Sequence, residues 1–289
     1  MIGRAGCRGA ATIVNAIATG KGAAFGISLE TDVSIDIDKG SGPIRLIDSN
    51  EGAGLAEGCV RSAFRKLEPE TDVHGKIAIR SEIPISRGLK SSSAVSNAVV
   101  LAAVRAAGRE MNDRDIILTG IEESMKAGVT ITGAFDDACA CYYGGAVLTD
   151  NRSFEILKQA PMDEDLEVVI HVPDRRIPKS SVKNLDFSKI AKEVDKAFAL
   201  ASKGQFLKAM EVNSRAYAKV LDVSEDIVDF ARKNGAIAAG ISGTGPATVA
   251  VCERGSAGPL ANILKGREGT VILARMNHTP AREVVPRLL

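Results

Sequence analysis

One stretch of this chain limits its fold and chemistry more than any other: a hydroxyl-rich loop that runs directly into a helix of small apolar residues. The loop and the helix start read Pro84-Ile85-Ser86-Arg87-Gly88-Leu89-Lys90-Ser91-Ser92-Ser93-Ala94. Alternating polar and apolar residues over 76–80 predict a strand before the loop, and Gly108 is placed to end the helix. The stretch therefore predicts the order strand, loop, helix.

The start of this helix is suited to binding an anion. The first N–H groups of a helix have no partner within it and carry partial positive charge, so a phosphate placed there meets donors already directed at it. Gly88 permits close approach of the backbone, and Lys90 adds a positive charge. The serines can cap the helix, contact phosphate oxygens or supply a hydroxyl to Mg²⁺. A helix that is only capped is the alternative, but the combination favours a phosphate site.

The loop does not match the Walker A pattern. That pattern requires glycine directly before the lysine and a second glycine five residues earlier, whereas Leu89 precedes Lys90 here. The usual P-loop fold is therefore not implied.

Composition indicates a globular chain whose affinity for anions is local. Its 289 residues are 45% hydrophobic and 25% charged, enough to bury a sizeable core as one large or two ordinary domains. The formal net charge of +1, without a basic block, argues against nucleic acid or an acidic membrane surface as a partner. No apolar run approaches the roughly 20 residues that cross a bilayer.

The five cysteines indicate a reducing, cytoplasmic location. They are odd in number and widely spread, and the start of the chain lacks the layout of a signal peptide. Only three histidines accompany them, so Cys139 and Cys141 are predicted to be small buried side chains rather than half of a metal site.

The predicted elements fall into two groups on either side of the turn at 161–165. The first group contains strands at 31–38, 44–47, 76–80, 146–149 and 154–157, and helices at 55–65, 91–107 and 113–127. The second contains strands at 166–172 and 270–274, two short strands around the turn at 243–246, and helices at 190–202, 205–221, 227–233 and 260–265. We therefore expect two domains, 1–160 and 161–289.

Two pairs of carboxylates stand out in the first group. Glu122 and Glu123 lie near the end of helix 113–127, where the helix dipole disfavours negative charge, so they are either solvated or face a cation such as Mg²⁺. Asp136 and Asp137 follow a glycine, and capping a helix explains one of them but not both. The second aspartate needs another role.

These segments resemble the motifs of the GHMP kinases, the family of galactokinase and of homoserine, mevalonate and phosphomevalonate kinases. The loop is similar to the family's Pro-x-x-x-Gly-Leu-Gly-Ser-Ser-Ala, with Lys90 in place of the third glycine, which predicts a loop backbone with less freedom. Segment 13–27 resembles the first motif in part, and the Gly243-Thr244-Gly245-Pro246 turn matches the third. Read only as structure, these two segments would be a turn between strands and a glycine hairpin.

The resemblance implies an α+β, two-lobed GHMP-kinase fold, with an N-terminal lobe like ribosomal protein S5 and a ferredoxin-like C-terminal lobe. ATP would bind to residues 84–94 and to Gly243, Thr244 and Gly245. Asp136 or Asp137 would be catalytic, and Ser92 and Glu123 would hold Mg²⁺. The candidates for binding a substrate carboxylate are the basic residues Arg4, Arg8, Lys21, Arg175, Arg176 and Lys179, of which Arg8, Lys21 and Arg175 are preferred.

Within the family the likeness is greatest to the archaeal type of shikimate kinase, which has a similar Gly-Leu-Lys-Ser-Ser-Ser loop and paired aspartates after Gly-Ala-Phe. This implies ATP-dependent phosphorylation of the 3-hydroxyl of shikimate, on the route to chorismate and aromatic amino acids, by a monomer or homodimer. Two alternatives stay open: a GHMP kinase for another small alcohol, of the homoserine or mevalonate type, and a non-catalytic ligand sensor on the same fold.

Overall fold

The computed structural model describes residues 1–47, 52–130, 133–175, 182 and 184–287, and its strands form two sheets. The first sheet contains β1 (Ile2–Val14), β2 (Lys21–Lys39), β3 (Ile44–Leu46), β4 (Val73–Ser81), β5 (Ala146–Asp150) and β6 (Glu155–Ala160). Its order is β3-β4-β2-β5-β6, and β1 pairs with β2 as well. The helices of this part are α1 (Ala53–Leu67), α2 (Ser91–Ala106), α3 (Asp113–Lys126) and α4 (Phe135–Tyr143).

The second sheet lies in the C-terminal half and has the order β10-β7-β9-β8. Its strands are β7 (Glu167–Val172), β8 (Ala238–Ile241), β9 (Thr248–Cys252) and β10 (Thr270–Arg275). The helices described here are α5 (Ala191–Ser202), α6 (Phe206–Leu221), α7 (Asp226–Lys233) and α8 (Ala257–Leu264), with 3₁₀ turns at Phe187–Ile190 and Ala281–Glu283. None of the helices that the structure describes has both the length and the hydrophobicity of a membrane span.

The start of the chain is where the sequence prediction of strands is wrong. A strand is expected only at 31–38, but the chain is extended over both β1 and β2. Alternation is missing there because consecutive residues of these strands are buried, so both faces are covered. The helices α2, α4, α5 and α6 all pack against β1. Small side chains at Ala10, Ala11, Ala23 and Ala24 are therefore all fully buried.

The two halves of the chain are packed together through one continuous core. Helix α6 contacts both β8 and β1. After β10 the chain returns to the first sheet, where Met276 pairs with Ile27. The division at 160/161 falls between the two sheets, and we retain it as a proposal for the domain boundary.

The cysteines are buried as the sequence predicts, and α3 begins with a side-chain cap. All five cysteines are buried and free, and burial raises the pKa of the Cys7 thiol to about 12. Asn112 is the N-cap of α3, since its side chain accepts a hydrogen bond from the N–H of Asp115. The cysteines therefore pack as small apolar groups.

Candidate active site

The hydroxyl-rich loop leads into α2 with three residues in the left-handed backbone region. These are Ser86 (φ 57°), Gly88 (φ 86°) and Lys90 (φ 65°). Lys90 thus adopts the conformation that a glycine would favour. The lysine therefore does not prevent the turn that a glycine makes at this position of the motif.

No serine side chain caps α2, contrary to one of the roles expected for the serines. Lys90 is the N-cap residue, and among the residues that the structure describes no side-chain hydrogen bond caps the helix. Ser91 and Ser92 are half-buried, whereas Ser93 is buried. An uncapped helix start leaves its first N–H groups available to an external anion.

The loop packs against the glycine turn between β8 and β9. A Cβ on Gly88 would collide with the carbonyl oxygen of Ser242, whose hydroxyl donates to the Gly88 carbonyl at 2.7 Å. The N–H of Ala247 donates to the Arg87 carbonyl at 3.2 Å. Glycine is required at position 88 by this close approach, which joins the two predicted phosphate-binding segments.

The first motif also reaches this turn. The N–H of Gly243 donates to Thr12 Oγ1 at 2.8 Å, and Asn15 Nδ2 donates to the Gly243 carbonyl at 3.0 Å. The backbone of Asn15 is held from α6, where Asn213 accepts its N–H and Tyr217 donates to its carbonyl. Three segments distant in sequence therefore meet at one place.

Lys90 and Asp137 bring the aspartate pair to the phosphate loop. Lys90 Nζ lies 2.9 Å from Asp137 Oδ1, and the two side chains are only 6% and 16% exposed. The contact is an ion pair rather than a hydrogen bond, because Oδ1 accepts none from the described residues at suitable angles. A Cβ on Gly243 would lie 3.1 Å from the same ammonium. The lysine thus joins the loop, the glycine turn and α4.

Asp136 is more deeply buried than Asp137, at 4% exposure. Its Oδ1 accepts a hydrogen bond from Asn151 Nδ2 at 2.8 Å, and a Cβ on Gly22 would collide with its carboxylate. Burial and the neighbouring Asp137 raise the pKa of Asp136 to about 7, although Lys90 and Asn151 oppose the shift. Asp136 is therefore a carboxylate able to exchange a proton near neutral pH.

Neither aspartate is the N-cap of α4. That position is Ala134, with a left-handed backbone, and both aspartates lie in the first turn. In the first turn their negative charge interacts favourably with the helix dipole, but neither side chain caps the helix. The expectation that capping explains one of them is therefore wrong.

Glu123 has the cationic partner that its position near a helix end requires. Its Oε1 accepts from Lys126 Nζ at 2.5 Å and from Ser62 Oγ at 2.6 Å. Burial opposes its ionisation, but these hydrogen bonds outweigh burial and lower the pKa of Glu123. Glu122 instead pairs with Lys66 at 2.9 Å near the surface.

The packing of α2 on α3 bears on whether Glu123 and Ser92 suit a shared metal ion. Gly120 lies directly against Ser96, and the short connection between the helices makes them antiparallel neighbours. One helical turn from this contact, Glu123 and Ser92 lie towards the same end. An ionised carboxylate and a hydroxyl suit Mg²⁺, which takes one or two protein carboxylates and completes its shell with phosphates and water. The described residues hold no group of three or more acidic, His or Cys side chains arranged for a metal.

The candidate cations for a substrate carboxylate are dispersed. Arg8 is held by Glu30 (3.3 Å) and Asn277 (2.6 Å), in a cluster separate from the aspartate pair. Lys21 is exposed, next to Gly22, with Nζ 5.8 Å from the ring centre of Phe198.

Arg175 meets the phosphate loop through its backbone rather than its charge. Arg87 donates to the carbonyl groups of Pro173, Asp174 and Arg175, so the loop after β7 is tied to the phosphate loop. Arg4 is exposed, and its carbonyl accepts from Arg105. Arg176 and Lys179 lie outside the described residues.

Several residues of this region have no signal in the sequence. Asn151 follows a strand like any turn residue, yet it binds Asp136. Arg152, next to it, lies over Gly20, where a Cβ would collide with the arginine side chain. Only the pairing of β2 with β5 brings residues 20–22 to residues 149–152.

Comparison with known proteins gives two family-model matches. The model for the GHMP kinases N terminal domain matches residues 55–145, and the model for the GHMP kinases C terminal matches residues 196–268.

Curated relatives cover nearly the whole chain. The shikimate kinase of Methanococcoides burtonii is 38% identical over 287 residues, covering 96% of both chains. The shikimate kinase of Pyrococcus furiosus is 41% identical over 253 residues, covering 84% of this chain and 89% of that protein.

Solved structures support the fold. The mevalonate kinase of Methanococcus jannaschii superposes with a TM-score of 0.74 at 18% identity, covering 96% of this chain and 98% of that one. A homoserine kinase from Cytophaga hutchinsonii gives 0.73 at 20% identity, covering 95% of each. The expected mixed α and β, two-lobed architecture is confirmed.

Proposed function

The chain belongs to the GHMP kinase family, and from that premise we propose that it is a shikimate kinase, which transfers the γ-phosphoryl group of ATP to the 3-hydroxyl of shikimate. The curated relatives carry this name at 38–41% identity over most of the chain. The reaction yields ADP and shikimate 3-phosphate, on the route to chorismate and aromatic amino acids. The five free cysteines support a cytoplasmic location, and a monomer or homodimer is our expectation.

The observation that supports this function best is the ion pair between Lys90 and Asp137. It places a pair of acidic side chains beside an uncapped helix start, where a triphosphate would bind. Phosphoryl transfer needs alignment and neutralisation of charge more than covalent chemistry from the protein. A cationic loop and a carboxylate near neutral pKa supply both.

We propose that residues 84–94 bind the β- and γ-phosphates of ATP. The N–H groups at the start of α2 and the ammonium of Lys90 would donate hydrogen bonds to the phosphate oxygens and offset their negative charge. Gly243, Thr244 and Gly245 pack on this loop and would close one side of the nucleotide site. The tie from Arg87 to the loop after β7 holds the second lobe against the same site.

Ser92 and Glu123 are the proposed protein ligands of Mg²⁺. When bound, the ion would neutralise charge on the β- and γ-phosphate oxygens. Glu123 is ionised and directs its other oxygen away from Lys126, towards Gly58. Lys126 and Ser62 hold the carboxylate in place.

We propose that Asp136 accepts the proton of the attacking hydroxyl. Its pKa of about 7 matches the operating pH of a general base, whereas Asp137 is committed to Lys90. Asp137 would keep the lysine directed at the phosphate loop. Both aspartates would then act in catalysis, one on the acceptor and one on the donor side.

The substrate carboxylate requires a cation at some distance from Asp136. Lys21 is our preferred residue among those expected from the sequence, because its neighbour Gly22 lies against Asp136. Arg152 is a further candidate, since its neighbour Asn151 binds Asp136. Arg8 and Arg175 stay as proposals; Arg8 is already paired with Glu30, and Arg175 meets the phosphate loop through its carbonyl group.

ADP release measured with ATP, Mg²⁺ and a panel of small alcohols tests this function. We expect turnover with shikimate and a kcat/KM at least ~10²-fold lower with homoserine and mevalonate, because their carboxylate and hydroxyl are spaced differently. Faster turnover of homoserine or mevalonate would make the chain a kinase for that alcohol. No ADP release with any alcohol would favour the non-catalytic ligand sensor.

Variants at the basic residues then separate the carboxylate candidates. Lys21→Gln and Arg152→Gln should raise the KM for shikimate and leave that for ATP unchanged. Arg8→Gln is the comparison, because Arg8 lies in another cluster. An increase confined to Arg8→Gln would overturn the preference for Lys21.

A further inference from the structure

Asn151 is a buried residue directly after β5 with hydrogen bonds on both sides of its amide. Its Nδ2 donates to Asp136 Oδ1 at 2.8 Å, and its Oδ1 accepts from the N–H of Asp136 at 3.3 Å. Thr149 Oγ1 donates to the same Oδ1 at 2.7 Å, and the N–H of Asn151 donates to the Gly20 carbonyl at 2.8 Å. The side chain is 5% exposed.

These partners permit only one orientation of the amide. A backbone N–H can only donate, and an ionised carboxylate can only accept. Rotating the amide by 180° would set its NH₂ group against the N–H of Asp136 and its oxygen against the carboxylate. Asn151 therefore presents a fixed donor to Asp136 Oδ1, and the Thr149 hydroxyl holds that orientation.

We propose that Asn151 is a positioning residue for phosphoryl transfer, which fixes the rotamer and the proton affinity of Asp136. The proposal rests on the proposed function and adds a residue to its catalytic apparatus. By binding Oδ1, Asn151 leaves Oδ2 as the oxygen that receives the proton. By donating to the charged form, it also limits the rise in proton affinity that burial causes.

A purely structural role would have a different signature. A buried amide that only satisfies the end of β5 would, when removed, lower stability without changing the protonation of Asp136. A positioning role moves the acidic limb of the pH profile, because the ionised aspartate loses its donor. The pH profile therefore separates the two roles.

The test compares Asn151→Ala, Thr149→Val and Asn112→Ala. We expect Asn151→Ala to lower kcat by about 10-fold or more and to move the acidic limb to higher pH, with the KM for ATP unchanged. Thr149→Val should move the limb in the same direction by less. Asn112→Ala removes the cap of α3 and should lower stability without moving the limb.

A readout that does not depend on turnover keeps the proposal testable if the proposed function fails. The ¹³C resonance of the Asp136 carboxyl, assigned with Asp136→Asn, reports its titration midpoint directly. The midpoint should be higher in Asn151→Ala and in Thr149→Val than in the unmodified protein. An unchanged midpoint in both, or a pH profile equal to that of Asn112→Ala, would overturn the proposal. If Asn151→Ala does not fold, Thr149→Val provides the same measurement.

Discussion

Two regions of the molecule contain a pair of buried carboxylates beside cationic side chains, and they differ in what surrounds the charges. The first is the aspartate pair of α4 with Lys90. The second, which we call the β2 acid cluster, consists of Glu30, Asp32, Glu82, Arg8 and Arg287. In both regions burial raises the pKa of a carboxyl group, Asp136 in one and Glu30 in the other.

The β2 acid cluster is closed by the chain itself. Arg287 lies 3.8 Å from Glu30 and 3.6 Å from Glu82, and its N–H donates to Asp32 at 3.1 Å. The free space lined by Glu30, Asp32, Arg80, Glu82 and Arg287 is about 10 Å³, room for at most one water. The cluster therefore holds Arg287 on the first sheet and has no space for a substrate.

The aspartate pair instead adjoins a helix start that no described side chain caps and a loop with three residues in the left-handed backbone region. The comparison shows that buried acids with raised pKa values do not by themselves identify an active site. The aspartate pair differs from the β2 acid cluster because it adjoins the N–H donors at the start of α2.

The largest expected effect is the difference between two variants, each of which removes one carboxylate from one of the two regions. Asp136→Asn should lower kcat by ~10²- to 10⁴-fold, because the general base is lost. Glu30→Gln should leave kcat within a few-fold of the unmodified enzyme. ADP release under saturating substrates measures both. Equal losses in the two variants would erase the distinction between the regions.

The next effect concerns the contact between the phosphate loop and the glycine turn. Gly88→Ala adds a Cβ that collides with the Ser242 carbonyl at a residue with φ 86°, so the loop must shift. A shift of about 1 Å can cost ~10²-fold in turnover, and we expect a loss of this order with a raised KM for ATP.

The matched glycine variant is Gly54→Ala, in α1, where the added methyl group meets open space. It should leave kinetics unchanged and stabilise the helix slightly. Normal kinetics in Gly88→Ala would show that the loop does not need this contact.

A further prediction uses the pH dependence of stability. Because the pKa of Asp136 is raised to about 7 from its ordinary 3.8, the folded protein keeps a proton that the unfolded chain has lost between these pH values. The contribution of Asp136 to stability is therefore fully present below its ordinary pKa and is lost as pH rises towards 7. Asp136→Asn removes this loss, so its stability relative to the unmodified protein should be greater at pH 8 than at pH 5.

Glu30→Gln should act in the same direction on stability, because the pKa of Glu30 is also raised. Only Asp136 should also govern the rate, which should fall as pH drops below about 7 and Asp136 gains a proton. Urea denaturation at pH 5 and pH 8 measures the effect of each variant on stability. The pH profile of kcat/KM measures its effect on the rate. A rate without an acidic limb near 7 would count against Asp136 as the base.

The smallest effect is expected at Arg287. Its side chain is 66% exposed, so Arg287→Gln should lower the free energy of unfolding by only ~0.5–1 kcal/mol, less at high salt. Turnover should not change. Denaturation at low and high salt measures the change in the free energy of unfolding. A loss of kcat would show that the β2 acid cluster contributes to catalysis.

Local patterns in the sequence sufficed for part of this picture. The strand, loop and helix around Gly88 and the helices after residue 190 follow from periodicity and turn residues, and the motif order gives the fold. Alternation of polar and apolar residues does not predict β1, because a strand covered on both faces shows no such alternation.

The partners of the charged residues could not be predicted from spacing. Lys90 meets Asp137 across 47 positions of sequence, Arg8 meets Asn277 across 269, and Asn151 meets Asp136 because α4 packs on β5. Arg8 is therefore a substrate candidate on sequence alone, whereas Asn151 has no local pattern that distinguishes it from an ordinary turn residue. Such contacts depend on the sheet topology rather than on any local pattern.

The most direct measurement is a crystal structure with a non-hydrolysable ATP analogue, Mg²⁺ and shikimate. The account predicts the γ-phosphate at the start of α2, beside Ser92 and Lys90, with a shikimate hydroxyl within hydrogen-bonding distance of Asp136. It would be contradicted by a triphosphate bound elsewhere, such as the cavity of about 720 Å³ lined by Pro161, Phe206 and Arg254, or by shikimate lying away from both aspartates.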